Sequence, residues 1–205
     1  MDENQTAIVV IADTRGKDKD APLALRPFWG TPLVRHATLT ALEVGCGPVI
    51  VVSGAHAAFV QQTITGLNVA TVTSDPRARG SAAALQAGLR ALGPLQPLAA
   101  VVAIHAEQVL VTAARIRQLV AARHLHNRAI AAARYAGGIG LPACFSRRSF
   151  DWLLAIAPGL DIARCLEGSD ADRLFIECPE AERTASLGLT SGLCSGGAWP
   201  ALAAG

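Results

Sequence analysis

The chain alternates short apolar runs with longer segments in which apolar residues recur every three or four positions. Ala7-Ile8-Val9-Val10-Ile11-Ala12, Pro48-Val49-Ile50-Val51-Val52 and Leu98-Ala99-Ala100-Val101-Val102-Ala103-Ile104 carry no charge. Such runs predict strands buried on both faces of a parallel sheet. The run over 98–104 is the most apolar, which predicts a central position. Leu33, Ala37, Thr40, Ala41 and Val44 recur at helical spacing. For that helix Thr31 is the predicted cap, Pro32 the first helical residue and Gly45 the stop. Helices are also predicted over 55–65, 82–92, 113–126, 150–157 and 161–166, with Ser81 and Thr112 as caps of the second and third. Strands are predicted over 67–72, 129–135, 142–145 and 174–178.

Strands separated by helices form a βαβ series, and therefore a mainly parallel sheet with right-handed crossovers. The predicted fold is α/β: a three-layer α/β/α sandwich around a mostly parallel, Rossmann-like sheet. The stretch 138–145, which opens Gly138-Ile139-Gly140, interrupts that series. It predicts a small antiparallel insertion in a minor lobe. Residues 1–190 read as one domain, and the Gly-, Ala- and Ser-rich 191–205 as a flexible tail.

Composition narrows the class. Hydrophobic residues make up 51% of the 205 but aromatics only 4%, so the core is built from small aliphatics. No apolar run reaches the roughly 18–20 residues that span a bilayer. A net charge of +2 with dispersed Lys and Arg does not fit a nucleic-acid surface. The acidic start, Met1-Asp2-Glu3, is unlike the basic start of a secretory signal, and the expected location is cytoplasmic. Cys46, Cys144, Cys165, Cys178 and Cys194 are odd in number and lack C-x-x-C spacing, so they read as buried small hydrophobes.

Carboxyl ends of parallel strands share one edge, where ligands of open α/β folds sit. Three loops meet there: 13–20, 75–81 and 105–108. In the first, Arg15, Lys17 and Lys19 are nearly cancelled by Asp13, Asp18 and Asp20. Neither G-x-G-x-x-G nor G-x-x-x-x-G-K-[ST] occurs. Glu107 follows the central strand directly and reads two ways, as a holder of Mg²⁺ against a triphosphate or as an exposed loop glutamate. His105 has no partner nucleophile in view and reads as structural. The absence of G-x-S-x-G leaves no serine triad to assemble.

At these positions the chain resembles the MobA-like NTP transferase family, in particular its molybdenum cofactor cytidylyltransferase branch. Ile11-Ala12-Asp13-Thr14 takes the place of that family's L-A-A-G, and the segment from Pro22 to Leu33 follows in step with P-K … P-x-x-G-x-P-L. Asp75-Pro76 through Gly80-Ser81, then Leu85-Gln86-Ala87-Gly88-Leu89, resembles N-P … G-M-x-S-S-L-x-A-G-L. Ile104 to Thr112 resembles L-L-G-D-Q-P-L-V-T, and Gly140-Leu141-Pro142-Ala143-Cys144-Phe145 resembles G-H-P-V-L-F.

The resemblance implies a nucleotide-diphospho-sugar transferase-like fold and transfer of CMP or GMP from CTP or GTP to molybdopterin, with Mg²⁺ and release of pyrophosphate. It implies Glu107 as metal ligand and, with Lys17, as catalytic residue. Ala12, Asp13, Thr14, Arg15, Gly80 and Ser81 would bind the nucleotide. Several positions depart from the pattern: Thr14 stands for a glycine, Asp18 for the signature arginine, Asp20 for the second glycine and Leu23 for the phosphate-binding lysine. The late D-I-D-T-P aspartates fall at Leu187-Gly188-Leu189-Thr190-Ser191, which holds no carboxylate. A second reading is therefore a catalytically inactive family member acting as a binding, scaffold or regulatory protein. A protein partner or a homo-oligomer is left open.

Overall fold

The computed structural model describes residues 5–12, 23–75, 80–93, 98–157, 159–167 and 172–183. Strand β1 (Gln5–Ile11) is followed by a two-residue ribbon, β2 (Pro27–Phe28) and β3 (Thr31–Pro32), then α1 (Leu33–Val44), β4 (Val49–Ser53), α2 (Ala57–Thr63) and β5 (Ala70–Thr73). The second half runs α3 (Ser81–Leu92), β6 (Leu98–His105), α4 (Ala113–Leu125), β7 (Ile130–Tyr135), β8 (Gly138–Ser146), α5 (Phe150–Ala155), α6 (Ile162–Glu167) and β9 (Arg173–Glu177).

Seven strands form one sheet in the order β5-β4-β1-β6-β8-β7-β9, with β6 at its centre as its composition predicts. Within this sheet only β8 runs against its neighbours. Alternation along β1 sorts its side chains between two cores. Ala7, Val9 and Ile11 pack with Leu85 and Leu89 of α3, Phe150 and Leu153 of α5 and Ile162 of α6. Ile8, Val10 and Ala12 pack with Val34, Ala37 and Ala41 of α1 and Ile116 and Leu119 of α4. Helices on both faces complete the three layers. Gly88 lets α3 approach closely, because a Cβ there would lie 2.9 Å from Val9 Cγ1.

Several local expectations are corrected. The helix expected to start at Pro32 begins at Leu33, with extended Pro32 at the cap and no side-chain cap bond. Thr31 is instead held in the β2–β3 ribbon, whose turn places Trp29 and Gly30 at positive φ. Gly45 closes α1 in the left-handed conformation, as expected. Thr112 caps α4, its hydroxyl accepting from the Arg115 N–H at 3.2 Å. Ser81 does not cap α3: it is the first helical residue and Gly80 is the cap.

The antiparallel stretch forms no minor lobe. It is the nine-residue β8, inserted in the main sheet between β6 and β7. A strand pairing on both sides buries its backbone better than a protruding hairpin would. The short ribbon β2–β3 is the separate antiparallel element. Cys144 and Cys178 are buried as expected, but Cys46 and Cys165 are partly exposed; all four are free thiols. No helix among the described residues is long and apolar enough to cross a membrane. The tail over 191–205 lies outside the described residues.

Candidate functional site

Two backbone bonds tie the carboxyl ends of the three central parallel strands together. The Ala12 N–H donates to the Val52 carbonyl at 2.8 Å, and the Ala106 N–H donates to the Ile11 carbonyl at 2.9 Å. The loop after β6 thus starts from a fixed frame, and Glu107 sits on it. Glu107 is not an exposed loop residue: 5% of its surface is accessible, and its Oε1 has no hydrogen-bond partner. Burial pushes its carboxyl up to about 7. His105, two residues earlier, has an enclosed Nδ1 without a partner, and burial pulls its imidazole down to about 4. At neutral pH it is uncharged.

Gln108 fixes the loop. Its Oε1 accepts from the His105 N–H at 3.1 Å, and its Nε2 donates to the Leu141 carbonyl at 2.6 Å. That carbonyl also accepts from the Tyr135 hydroxyl at 2.7 Å. It is free to do so because the β7–β8 register jumps from Ala132↔Ala143 to Ala133↔Gly140, which leaves Leu141 and Pro142 in a bulge. Bulges commonly re-aim groups beside functional sites.

These residues wall a cavity of about 240 Å³, lined by His105, Glu107, Gln108 and Leu141 together with Leu23 from the segment before β2 and Arg183 beyond β9. Gly140 and Ala163 also line it. On one flank, the Ser81 N–H donates to Asp161 Oδ1 at 3.2 Å and its hydroxyl to the same oxygen at 3.4 Å. The Ser81 hydroxyl in turn accepts from the Ile162 N–H at 2.9 Å. Asp161 also acts on His105, its charge opposing the fall caused by burial.

Of the residues singled out in the sequence, Glu107, His105 and Leu23 line the cavity. Ala12 lies at the strand edge with its N–H taken by Val52 and its methyl group in the core. Gly80 holds φ +86 against the loop before α6, where a Cβ would fall 2.3 Å from the Leu160 carbonyl oxygen. Ser81 turns its polar groups to Asp161 and Ile162 rather than to the cavity. Asp13, Thr14, Arg15 and Lys17 lie outside the described residues, as do Asp18 and Asp20. Sequence reading missed Asp161 and Arg183: Asp161 opens a predicted helix with no chemistry attached to it, and only the fold brings both residues to this edge. Gln108 was visible as the residue after Glu107, but its clamp on Leu141 was not.

The fold has close solved counterparts. The crystal structure of Rv0371c from Mycobacterium tuberculosis superposes with a TM-score of 0.75 at 21% identity, covering 87% of this chain and 90% of that one. A manganese complex of Rv0371c gives 0.72 at 21%, over 86% and 89%. A nucleotidyl transferase from Methanothermobacter gives 0.70 at 22%, over 85% and 88%. No curated protein matches the chain. The profile of the MobA-like NTP transferase domain matches residues 15–194, and the chain belongs to that family.

Proposed function

We propose that the protein transfers a nucleotidyl group from CTP or GTP to molybdopterin, releasing pyrophosphate, with a divalent cation held in part by Glu107. The observation that carries this reading is the buried, unpartnered Glu107 Oε1 in a cavity at the end of the central strand. Leaving a polar group buried without a partner costs stability, and such groups mark sites that a ligand completes.

The residues fit a hard divalent cation. Mg²⁺ is usually held by one or two carboxylates plus substrate phosphates rather than by an all-protein cage. One carboxylate with an unpartnered oxygen, and no cluster of three acids, histidines or cysteines among the described residues, matches that donor set. The manganese complex of the Rv0371c structure supports a divalent ion in this fold. When bound, the cation would neutralise charge developing on the α-phosphate and the departing pyrophosphate. Glu107 must shed its proton to serve, so binding would release a proton at neutral pH. Gln108 holds the loop in one geometry, and Ile139 and Leu141 line the cavity beside it. Lys17, Arg15, Asp13 and Thr14, with Ala12, Gly80 and Ser81, remain the proposed nucleotide contacts. The free thiols support a reducing, cytoplasmic setting.

Leu23 favours a second reading. It lines the cavity where the family resemblance places a lysine, so an inactive, nucleotide-binding scaffold is the alternative. Calorimetric titration with CTP and GTP, with and without Mg²⁺, separates the two. Cation-dependent binding abolished by Glu107→Ala supports transfer. Binding that ignores both the cation and the substitution supports the scaffold.

A further inference from the structure

We propose that Arg183 binds a phosphate group of a substrate inside the cavity that Glu107 lines. The proposal rests on the nucleotidyl-transfer reading for what that substrate is, but its geometry stands alone. Among the described lining residues Arg183 is the one cation. Leu23, Ile139 and Leu141 are apolar, Gln108 is committed to the Leu141 carbonyl, and Glu107 is an acid. An anion entering here finds its counter-charge in Arg183 or in nothing else among these residues.

The guanidinium is held in place without being used up. Its carbon lies 5.9 Å from the centre of the Tyr135 ring, and Nη1 is 3.5 Å from Glu180 Oε1, a long contact. Gly137 makes room for it: a Cβ there would fall 2.3 Å from Nη1. Tyr135 is fixed in turn through its hydroxyl on Leu141. Glu180 engages one nitrogen, and the planar fork has five N–H donors, so donors remain for a bidentate phosphate contact. The ring beneath orients the fork, and 37% of the side chain stays open to an incoming ligand.

The test uses the full chain and three probes: CTP, molybdopterin and inorganic phosphate, each titrated calorimetrically with Mg²⁺ present. Arg183→Met keeps the stem and removes the charge. It is expected to weaken at least one probe about tenfold or more, as loss of a charge-assisted hydrogen bond does. Arg183→Lys should restore part of that loss, and so should Leu23→Lys added to Arg183→Met, because Leu23 lines the same cavity. Weakening of CTP alone assigns the triphosphate, and weakening of molybdopterin alone assigns the acceptor. If every probe binds Arg183→Met within twofold of wild type, the proposal is overturned while the transferase reading stands. If wild type binds phosphate through Arg183 but not CTP, the proposal stands and the transferase reading falls. Weakening that neither lysine variant relieves, with a lowered thermal midpoint, makes Arg183 a structural brace and overturns the proposal.

Discussion

The Gln108 side-chain amide donates to the Leu141 carbonyl across the cavity at 2.6 Å, joining the loop after the central strand to the bulge of the antiparallel strand beside it. The same side chain accepts from the His105 N–H, so one residue sets the distance between two walls. Gln108→Leu removes both bonds and leaves the part-buried His105 N–H unpaired. The expected loss is about 2–4 kcal/mol, one to two unsatisfied groups' worth. Urea denaturation measures it, and a change under about 0.5 kcal/mol would mean that the clamp contributes little.

Gly80 is required by geometry. At φ +86 and ψ 155 it occupies a region reserved almost wholly for glycine, and a Cβ would meet the Leu160 carbonyl oxygen at 2.3 Å. Gly80→Ala is expected to cost about 1–3 kcal/mol from backbone strain alone, before the clash is added. Thermal unfolding checks this. The mutant should also free the Ser81–Asp161 contact, visible as faster amide exchange at Ile162.

Ser81→Ala tests a narrower point. The substitution deletes the acceptor of the Ile162 N–H and one donor to Asp161, with an expected loss of about 1 kcal/mol. If Ser81 also contacts nucleotide, CTP affinity falls beyond what the stability change explains. Equal affinity in the folded mutant would confine Ser81 to docking α3 on α6.

Glu107 and His105 pull stability in opposite directions as pH changes. The Glu107 carboxyl rises from 4.5 to about 7 on folding, so its favourable contribution is complete below pH 4.5 and is lost as pH climbs through 7. His105 falls from 6.5 to about 4, so its contribution is complete above pH 6.5 and is lost as pH drops through 4. Between pH 4.5 and 6.5 the two slopes cancel. Glu107→Gln removes one of them. Relative to wild type its stability should rise by about 1.4 kcal/mol per pH unit, to a total of about 3 kcal/mol by pH 7. Urea titrations across that range measure it, and a difference constant with pH would show that Glu107 ionises normally in the folded chain.

Much of the fold was legible in the residues. The apolar run of β6 marked the centre of the sheet, and Thr112 and Gly45 marked helix ends, because these signals are local. The role of β8 was not legible. Gly138 and Gly140 read as a turn before a short strand from Pro142, yet both glycines pair with β7 and Pro142 falls in the bulge of one continuous strand. The site was legible where it follows a strand end, as at Glu107, and not where it depends on long-range contact. Asp161 meets Ser81 across 80 positions and Arg183 reaches Tyr135 across 48, separations that no local pattern encodes.

The activity proposed for the cavity around Glu107 is nucleotidyl transfer. Pyrophosphate release from CTP and from GTP, with molybdopterin and either Mg²⁺ or Mn²⁺, tests it most directly in wild type and Glu107→Ala. Turnover is expected to require the cation and both substrates, and to fall about 10²–10³-fold on the substitution. Release at the uncatalysed rate in wild type, or turnover unchanged in Glu107→Ala, would contradict it.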